Sequence, residues 1–192
     1  ALKHVNYKNI QFDGNKIRLA DPQAKLDLGG IAKGYVADEL TTLLEKEGVT
    51  SAVINLGGNI STIGSKPDDS PFVIGIEKPY TDRTEIIGTT TAENQTVVTS
   101  GIYERQFQQN GKIYHHVLSS KTGYPVETQL EAVSLVAKKG RSMDIDAMST
   151  ICLMKGVDGG KAFIKKQKGV EAVFSAEGKE VAKTKGMKFT AE

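Results

Sequence analysis

Three stretches of the chain combine residue types and spacings that could do chemistry. In Leu26-Asp27-Leu28-Gly29-Gly30-Ile31-Ala32-Lys33-Gly34-Tyr35, a glycine pair stands where helical spacing begins. Backbone groups at such a junction are open to close approach by a ligand. Asp27 either meets a polar edge of that ligand or caps the helix locally. Lys33 falls in the first helical turn, where the positive end of the dipole disfavours a cation, so the spacing predicts a partner for it. No Lys-Ser/Thr pair follows a glycine at the required distance, which argues against a P-loop. In Met143-Asp144-Ile145-Asp146-Ala147-Met148-Ser149-Thr150, Asp146 and Thr150 are four apart and stack on one helix face. Carboxylate and hydroxyl suit a magnesium ion whose remaining ligands are waters and phosphate oxygens. The same pair also reads as a carboxylate favouring the helix dipole and a hydroxyl returning to a backbone carbonyl. Asp144 falls on another face and reads as a cap.

The third stretch runs from Thr99-Ser100-Gly101 through Tyr103-Glu104-Arg105 to Tyr114-His115-His116-Val117-Leu118 and Thr122-Gly123-Tyr124-Pro125. Neighbouring histidines in a strand point to opposite faces, so one imidazole at most enters a given site and a two-histidine metal pair is disfavoured. Such a histidine is either structural or a general base for a hydroxyl. Ser100 lacks a nucleophile elbow, which argues against a serine hydrolase.

The elements that must position these residues can be read from the same sequence. Asp13-Gly14-Asn15 predicts a turn between Val5–Phe12 and Lys16–Leu19. A helix is expected from Ile31 to a stop at Gly48, with Ile31, Val36, Leu40, Leu43 and Leu44 on its apolar face. Ser51–Leu56 reads as a buried strand ending in Gly57-Gly58-Asn59. Phe72–Ile76 and Thr96–Thr99 read as strands, separated by polar loops around Pro67-Asp68-Asp69 and Tyr80–Arg83. A hairpin is expected from Glu104–Gln108 and Lys112–Leu118 around Gly111, then a strand at Leu130–Ala137. A helix over Ser142–Lys155 would place Met143, Ala147, Ile151 and Met154 on one side. Gly159-Gly160 would separate it from a short helix at Lys161–Lys168, and Val170–Phe174, Glu180–Ala182 and Met187–Phe189 close the chain as strands. The class is α+β: one domain, a largely antiparallel sheet and two main helices packed on it.

Composition narrows the function classes. The 192 residues carry 25 Lys+Arg against 23 Asp+Glu, a formal charge of +2, which gives no reason to expect a nucleic-acid partner. The single cysteine, Cys152, excludes intrachain disulfides and multi-cysteine metal sites. No stretch approaches the roughly 20 apolar residues of a membrane-spanning helix. The start at Ala1, without the charged and apolar regions of a signal peptide, reads as an excised or processed piece.

Taken together, Leu26–Tyr35, Asn55-Leu56-Gly57-Gly58-Asn59, Thr99-Ser100-Gly101 with Tyr103-Glu104-Arg105, His116-Val117-Leu118 with Lys121-Thr122-Gly123-Tyr124-Pro125, and Asp146-Ala147 with Thr150 resemble the ApbE family, the FAD:protein FMN transferases. The resemblance implies magnesium-dependent splitting of FAD, with FMN passed through a phosphoester bond to a threonine or serine of an acceptor protein and AMP released. Some members hydrolyse FAD to FMN and AMP, and a non-catalytic flavin-binding domain is a further alternative. By position, Asp27, Lys33 and Leu118 would contact FAD, Leu118 through its backbone. The Gly30 carbonyl, Asp146 and Thr150 would hold Mg²⁺, and His116 would act as base. Two helix N-termini should then converge on one cleft. Cys152, just past Thr150, would pack in the core beside the metal site. Many relatives have Asp-Pro where this chain has Ser119-Ser120. Family members are usually longer, so residues 1–192 would be the C-terminal portion, without the N-terminal part that adds flavin contacts. The resemblance also implies an acceptor protein carrying a flavinylation motif, and a bacterial, extracytoplasmic, lipid-anchored location at the cell envelope for the full-length protein.

Overall fold

The computed structural model describes residues 1–82 and 84–192, so Arg83, which ends one expected loop, lies outside the described residues. A short 3-10 turn at Tyr7–Asn9 takes the place of the first part of the expected opening strand, and another, Leu2–His4, precedes it. The hairpin itself is β1 (Ile10–Asp13) and β2 (Lys16–Leu19), turning at Gly14-Asn15 as predicted. Next come α1 (Ala32–Lys46), then β3 (Ala52–Asn55) and β4 (Asn59–Ile63) around the Gly57-Gly58 turn, and β5 (Phe72–Glu77), β6 (Ile86–Ala92) and β7 (Gln95–Gly101). An exposed hairpin, β8 (Gln106–Gln109) and β9 (Lys112–His115), precedes β10 (Ala132–Lys138) and the long α2 (Ser142–Ile164). The chain closes with β11 (Val170–Ala176), β12 (Lys179–Lys183) and β13 (Thr190–Ala191).

Six strands form one antiparallel sheet in the order β12-β11-β10-β7-β4-β3, and β13-β6-β5 form a second sheet. Alternation along the central strands decides which layer each side chain meets. Val98, Val133, Leu135, Ala172 and Phe174 pack with Ile145, Cys152 and Leu153 of α2. Their neighbours Val97, Val136 and Val173 pack with Ile74, Ile76, Ile87, Met187 and Phe189 under the second sheet. The six-stranded sheet is thus filled on both faces, by helices on one side and by three strands on the other. The α+β class, the antiparallel pairing and the two main helices agree with the sequence reading. Among the described residues no helix is long and apolar enough to cross a membrane.

Several element readings are corrected. β4 and β6 are strands over residues to which the sequence pattern assigns no element; their Asn59-Ile-Ser-Thr-Ile and Ile86-Ile-Gly-Thr-Thr-Thr runs mix polar residues into the core. Asn59, Ser61 and Thr62 of β4 are fully buried because helix and strand groups take up their hydrogen bonds. Ser51–Leu56 is not a buried strand: β3 is the sheet edge, with Val53 and Asn55 exposed. The strand read as Lys112–Leu118 stops at His115, leaving Leu118 in a single bridge to Pro125. The break in α2 falls at Gly156, whose φ of 68° leaves the helical region, and not at Gly159-Gly160. Gly160 is buried against Phe174 and Cys152 instead. Met187–Phe189 is core-filling loop, followed by β13.

α2 buries a different face from the one its large apolar residues mark, and α1 keeps its expected face only in half-buried Ile31, Leu40 and Leu44. The inner face of α1 is Gly34, Ala37 and Thr41, while Val36 and Leu43 are exposed. In α2, Ile145, Ser149, Cys152 and Leu153 face inward, and Met143 and Met154 are exposed. The reason is proximity. A Cβ on Gly34 would lie 2.5 Å from Met143 Cα and from the Ser142 carbonyl oxygen, so α1 and α2 meet backbone to backbone. Asp38 of α1 exploits that closeness: its two carboxylate oxygens accept the Ser142 and Met143 N–H groups, each at 3.0 Å. This is the N-terminal cap of α2, supplied from another helix. Asp144, the expected cap, instead faces Arg141 Nε at 3.4 Å. Asp38→Ala removes two charge-assisted bonds and should cost about 1–2 kcal/mol, read as a lowered urea midpoint with an unchanged m-value. An unchanged midpoint would remove Asp38 from the account of this junction.

Candidate active site

A cleft of about 370 Å³ opens where the entry to α1, the end of β7, the residues after β9 and the exposed side of α2 meet. Asp27, Gly30 and Lys33 line it from the α1 entry, Ser100 and Gly101 from β7, and Glu104 and Arg105 from the loop beyond. His116 and Leu118 line it from the strand exit, and Asp146, Thr150 and Met154 from α2. All seven residues singled out from the sequence, Asp27, Gly30, Lys33, His116, Leu118, Asp146 and Thr150, therefore face one cavity.

Asp146 is its most constrained group. The side chain is 5% exposed, and one carboxylate oxygen accepts the Gly34 N–H at 2.9 Å. Gly34 lies in the first turn of α1 and Asp146 in the first turns of α2, so the two helix N-termini do converge here. Burial raises the Asp146 carboxyl pKa; the Gly34 N–H, the Lys33 ammonium and the Asn59 amide oppose that rise, and the Glu104 carboxylate adds to it. Asn59 itself is fully buried, with its Oδ1 accepting the Ser142 hydroxyl at 2.6 Å, so its Nδ2 is turned the other way. Nδ2 influences Asp146 without meeting any acceptor at full hydrogen-bond geometry among the described residues.

The other walls are set by local chemistry. Asp27 Oδ1 accepts the Gly29 N–H at 2.7 Å, so the local turn does form. Leu28 O then receives Ile31 N and Ala32 N, which starts the helix. Lys33 has the partner its position requires: Nζ donates to the Gly57 carbonyl at 2.7 Å. Gly57 and Gly58 reach that position with φ of 67° and 81°, a region glycine enters without strain. Ser100 Oγ lies 2.6 Å from Ser149 Oγ and 3.4 Å from Thr150 Oγ1, a hydroxyl cluster with no imidazole in it. The opposite-face reading of the histidines holds. His115 is buried, with Nε2 3.2 Å from Val126 O, and its pKa is lowered chiefly by desolvation. His116 is exposed to the cleft, its Nδ1 3.3 Å from the Arg105 carbonyl oxygen. Cys152, fully buried on the inner face of α2, has its thiol pKa pushed up to about 12 by burial, and it packs as expected.

Sequence reasoning missed Gly34, Asp38, Asn59 and Glu104 as parts of this site. Gly34 carried a signal in its position within the first quoted stretch, and Asn59 in its place after Gly57-Gly58. Asp38 offered none, because an acidic residue in mid-helix looks like ordinary solvated surface.

The residues assigned to the ion offer the Asp146 carboxylate, the Thr150 hydroxyl and the Gly30 carbonyl, all oxygen, and the Asp27 and Glu104 carboxylates line the same cleft. Among the described residues no three His, Cys, Asp or Glu side chains gather as a preformed metal cage. That chemistry fits a hard divalent cation sharing its shell with ligand oxygens.

Fold and cleft together define an α+β domain whose polar ligand site lies between two helix N-termini and a sheet. The chain belongs to the ApbE family, whose model matches residues 1–174. It is 39% identical over 163 residues to the FAD:protein FMN transferase of Klebsiella pneumoniae, an alignment covering 85% of this chain and 49% of that protein. To the FAD:protein FMN transferase of Treponema pallidum it is 35% identical over 179 residues, covering 89% and 49%. The crystal structure of the ApbE protein of Thermotoga maritima superposes with a TM-score of 0.79 at 33% identity, over 95% of this chain and 58% of that one. The apo flavinyl transferase ApbE of Pseudomonas stutzeri gives 0.75 at 28%, over 100% and 56%. The chain thus spans about half the length of the curated relatives it matches.

Proposed function

We propose that this cleft transfers FMN from FAD to a threonine or serine hydroxyl of an acceptor protein, releasing AMP. One observation carries the reading: residues from three separate segments, assigned to this reaction by resemblance, line a single cavity. Asp146, Thr150 and the Gly30 carbonyl would hold Mg²⁺, which when bound supplies positive charge for the pyrophosphate oxygens. Asp27, Lys33 and the Leu118 backbone position FAD. Lys33, held on Gly57, presents a fixed cation to the same phosphates. The acceptor oxygen attacks the FMN phosphorus, a new O–P bond forms, and the bond to the AMP oxygen breaks. His116 takes the hydroxyl proton; its exposure leaves room for an incoming protein chain, which buried His115 does not have. An extracytoplasmic, lipid-anchored location belongs to the same proposal and rests on resemblance alone.

The test incubates the protein, with its whole natural chain, with FAD, Mg²⁺ and an acceptor domain, and follows flavin fluorescence on a denaturing gel together with AMP. His116→Ala should slow labelling about a hundredfold, with FAD affinity retained. Undiminished labelling would remove His116 from the chemistry. Release of free FMN and AMP with no labelled acceptor would replace transfer by hydrolysis.

A further inference from the structure

At the other end of α2 from Asp146 lies a second groove, of about 530 Å³. Lys161 and Lys165 line it from the last turns of the helix, Lys168 from the turn that follows, and Lys185 from the separate segment between β12 and β13. Between them lie Ala162, Gly169 and Gly186, small residues that leave the surface open down to the backbone. None of the ion pairs among the described residues involves these four lysines. Glu171, the one carboxylate in the lining, is held within the groove by the Thr184 hydroxyl and the Gly186 N–H, which leaves four lysines against one carboxylate and a net positive lining. The negative end of the helix dipole accounts for Lys161 and Lys165. It does not account for Lys185, which comes from another segment. The region from Lys155 to Lys188 holds nine lysines and four carboxylates, so a chain of formal charge +2 is net negative outside it.

We propose that this groove is a docking surface for an acidic, extended segment of a partner protein. Its carboxylates would meet Lys161, Lys165, Lys168 and Lys185, and its apolar side chains would lie over Ala162 and the two glycines. The absence of any aromatic or arginine among the lining residues removes the stacking platform and the forked phosphate donor that single-stranded nucleic acids use. Unpaired cations on one partner and carboxylates on the other speed encounter and fix register.

The experiment is a fluorescence-anisotropy titration with a fluorescein-labelled peptide in which glutamates alternate with leucines, at low and at physiological salt. Binding should weaken as salt rises, and the triple variant K161E/K165E/K185E should lose at least about tenfold in affinity. Its melting curve and flavin labelling should stay those of the parent, which separates this surface from the cleft. Equal affinity in the triple variant would overturn the proposal. So would equal binding of a Lys/Leu peptide by the parent. Retention on phosphatidylglycerol vesicles, lost in the variant and without peptide binding, would reassign the groove to a membrane and overturn it as well.

Discussion

If the cleft works as proposed, Asp146→Asn should lower flavin transfer about a thousandfold and at the same time raise the melting temperature of the ligand-free protein at neutral pH. The two effects share one cause. The carboxylate sits nearly out of water, opposed to Glu104 and only partly compensated by the Gly34 N–H, Lys33 and Asn59. Its pKa is raised on folding, so the folded state binds this proton more readily than the unfolded chain does. Ionised Asp146 therefore costs stability above the raised folded value. That cost disappears as pH falls through it to the ordinary carboxylate range. The melting-temperature gap between variant and parent should accordingly be largest at pH 7 and close on acidification. Asparagine can keep the oxygen that accepts the Gly34 N–H; it removes the charge and turns the second oxygen into an NH2 donor. Millimolar Mg²⁺ with FAD should stabilise the parent more than the variant. Full labelling by the variant would sink the ligand set; a lower melting temperature at pH 7 would show that the charge is better compensated than its surroundings indicate.

Gly34→Ala should destabilise the fold by about 3 kcal/mol, the upper part of the usual cost of overpacking. Helix propensity alone gives the opposite sign, since alanine is favoured over glycine by about 1 kcal/mol in a helix interior. Sterics decide the sign. The added methyl would meet Met143 Cα and the Ser142 carbonyl at 2.5 Å, backbone atoms that no rotamer change can move aside. Relief requires α1 and α2 to separate, which also lengthens the Gly34–Asp146 bond and both bonds from Asp38. Loss of labelling should therefore accompany loss of stability. Urea unfolding measures the first part, and a midpoint at or above that of the parent would contradict the close crossing.

How far the sequence could be read follows from the kind of force at each position. Turns and strand alternation are local: Gly14, Gly48 and the Leu130–Ala137 run were legible because neighbouring residues alone determine them. Helix faces were misread because Val36, Leu43, Met143 and Met154 are large and apolar yet stay outside. Gly34, Ala37 and Ser149 are small, and they are the residues that let layers approach. β4 escaped notice since its buried Asn59, Ser61 and Thr62 depend on partners in α1, α2 and β7 that are distant in sequence. At the site, the residues that point into the cleft were legible as motifs. Asp38, which holds the start of α2 beside them, was not, because a supporting role is defined by what lies opposite.

The junction of Gly34, Asp38 and Asp146 with the start of α2 has a mechanical consequence. Each helix donates to a carboxylate of the other: Gly34 N–H to Asp146, Ser142 and Met143 N–H to Asp38. A reciprocal latch of this kind resists sliding in either direction along the helix axes. Relative placement of Gly30, Lys33, Asp146 and Thr150 is thereby set within a few residues of the latch, as one stiff jaw. The opposing jaw is built differently. β8 and β9 pair only with each other, and His116 follows directly from β9, steadied by the His115–Val126 contact and the Arg105 carbonyl. Compliance in this cleft therefore resides on the His116 side, where the proposed acceptor would have to be admitted, while the side that would meet phosphate keeps its spacing.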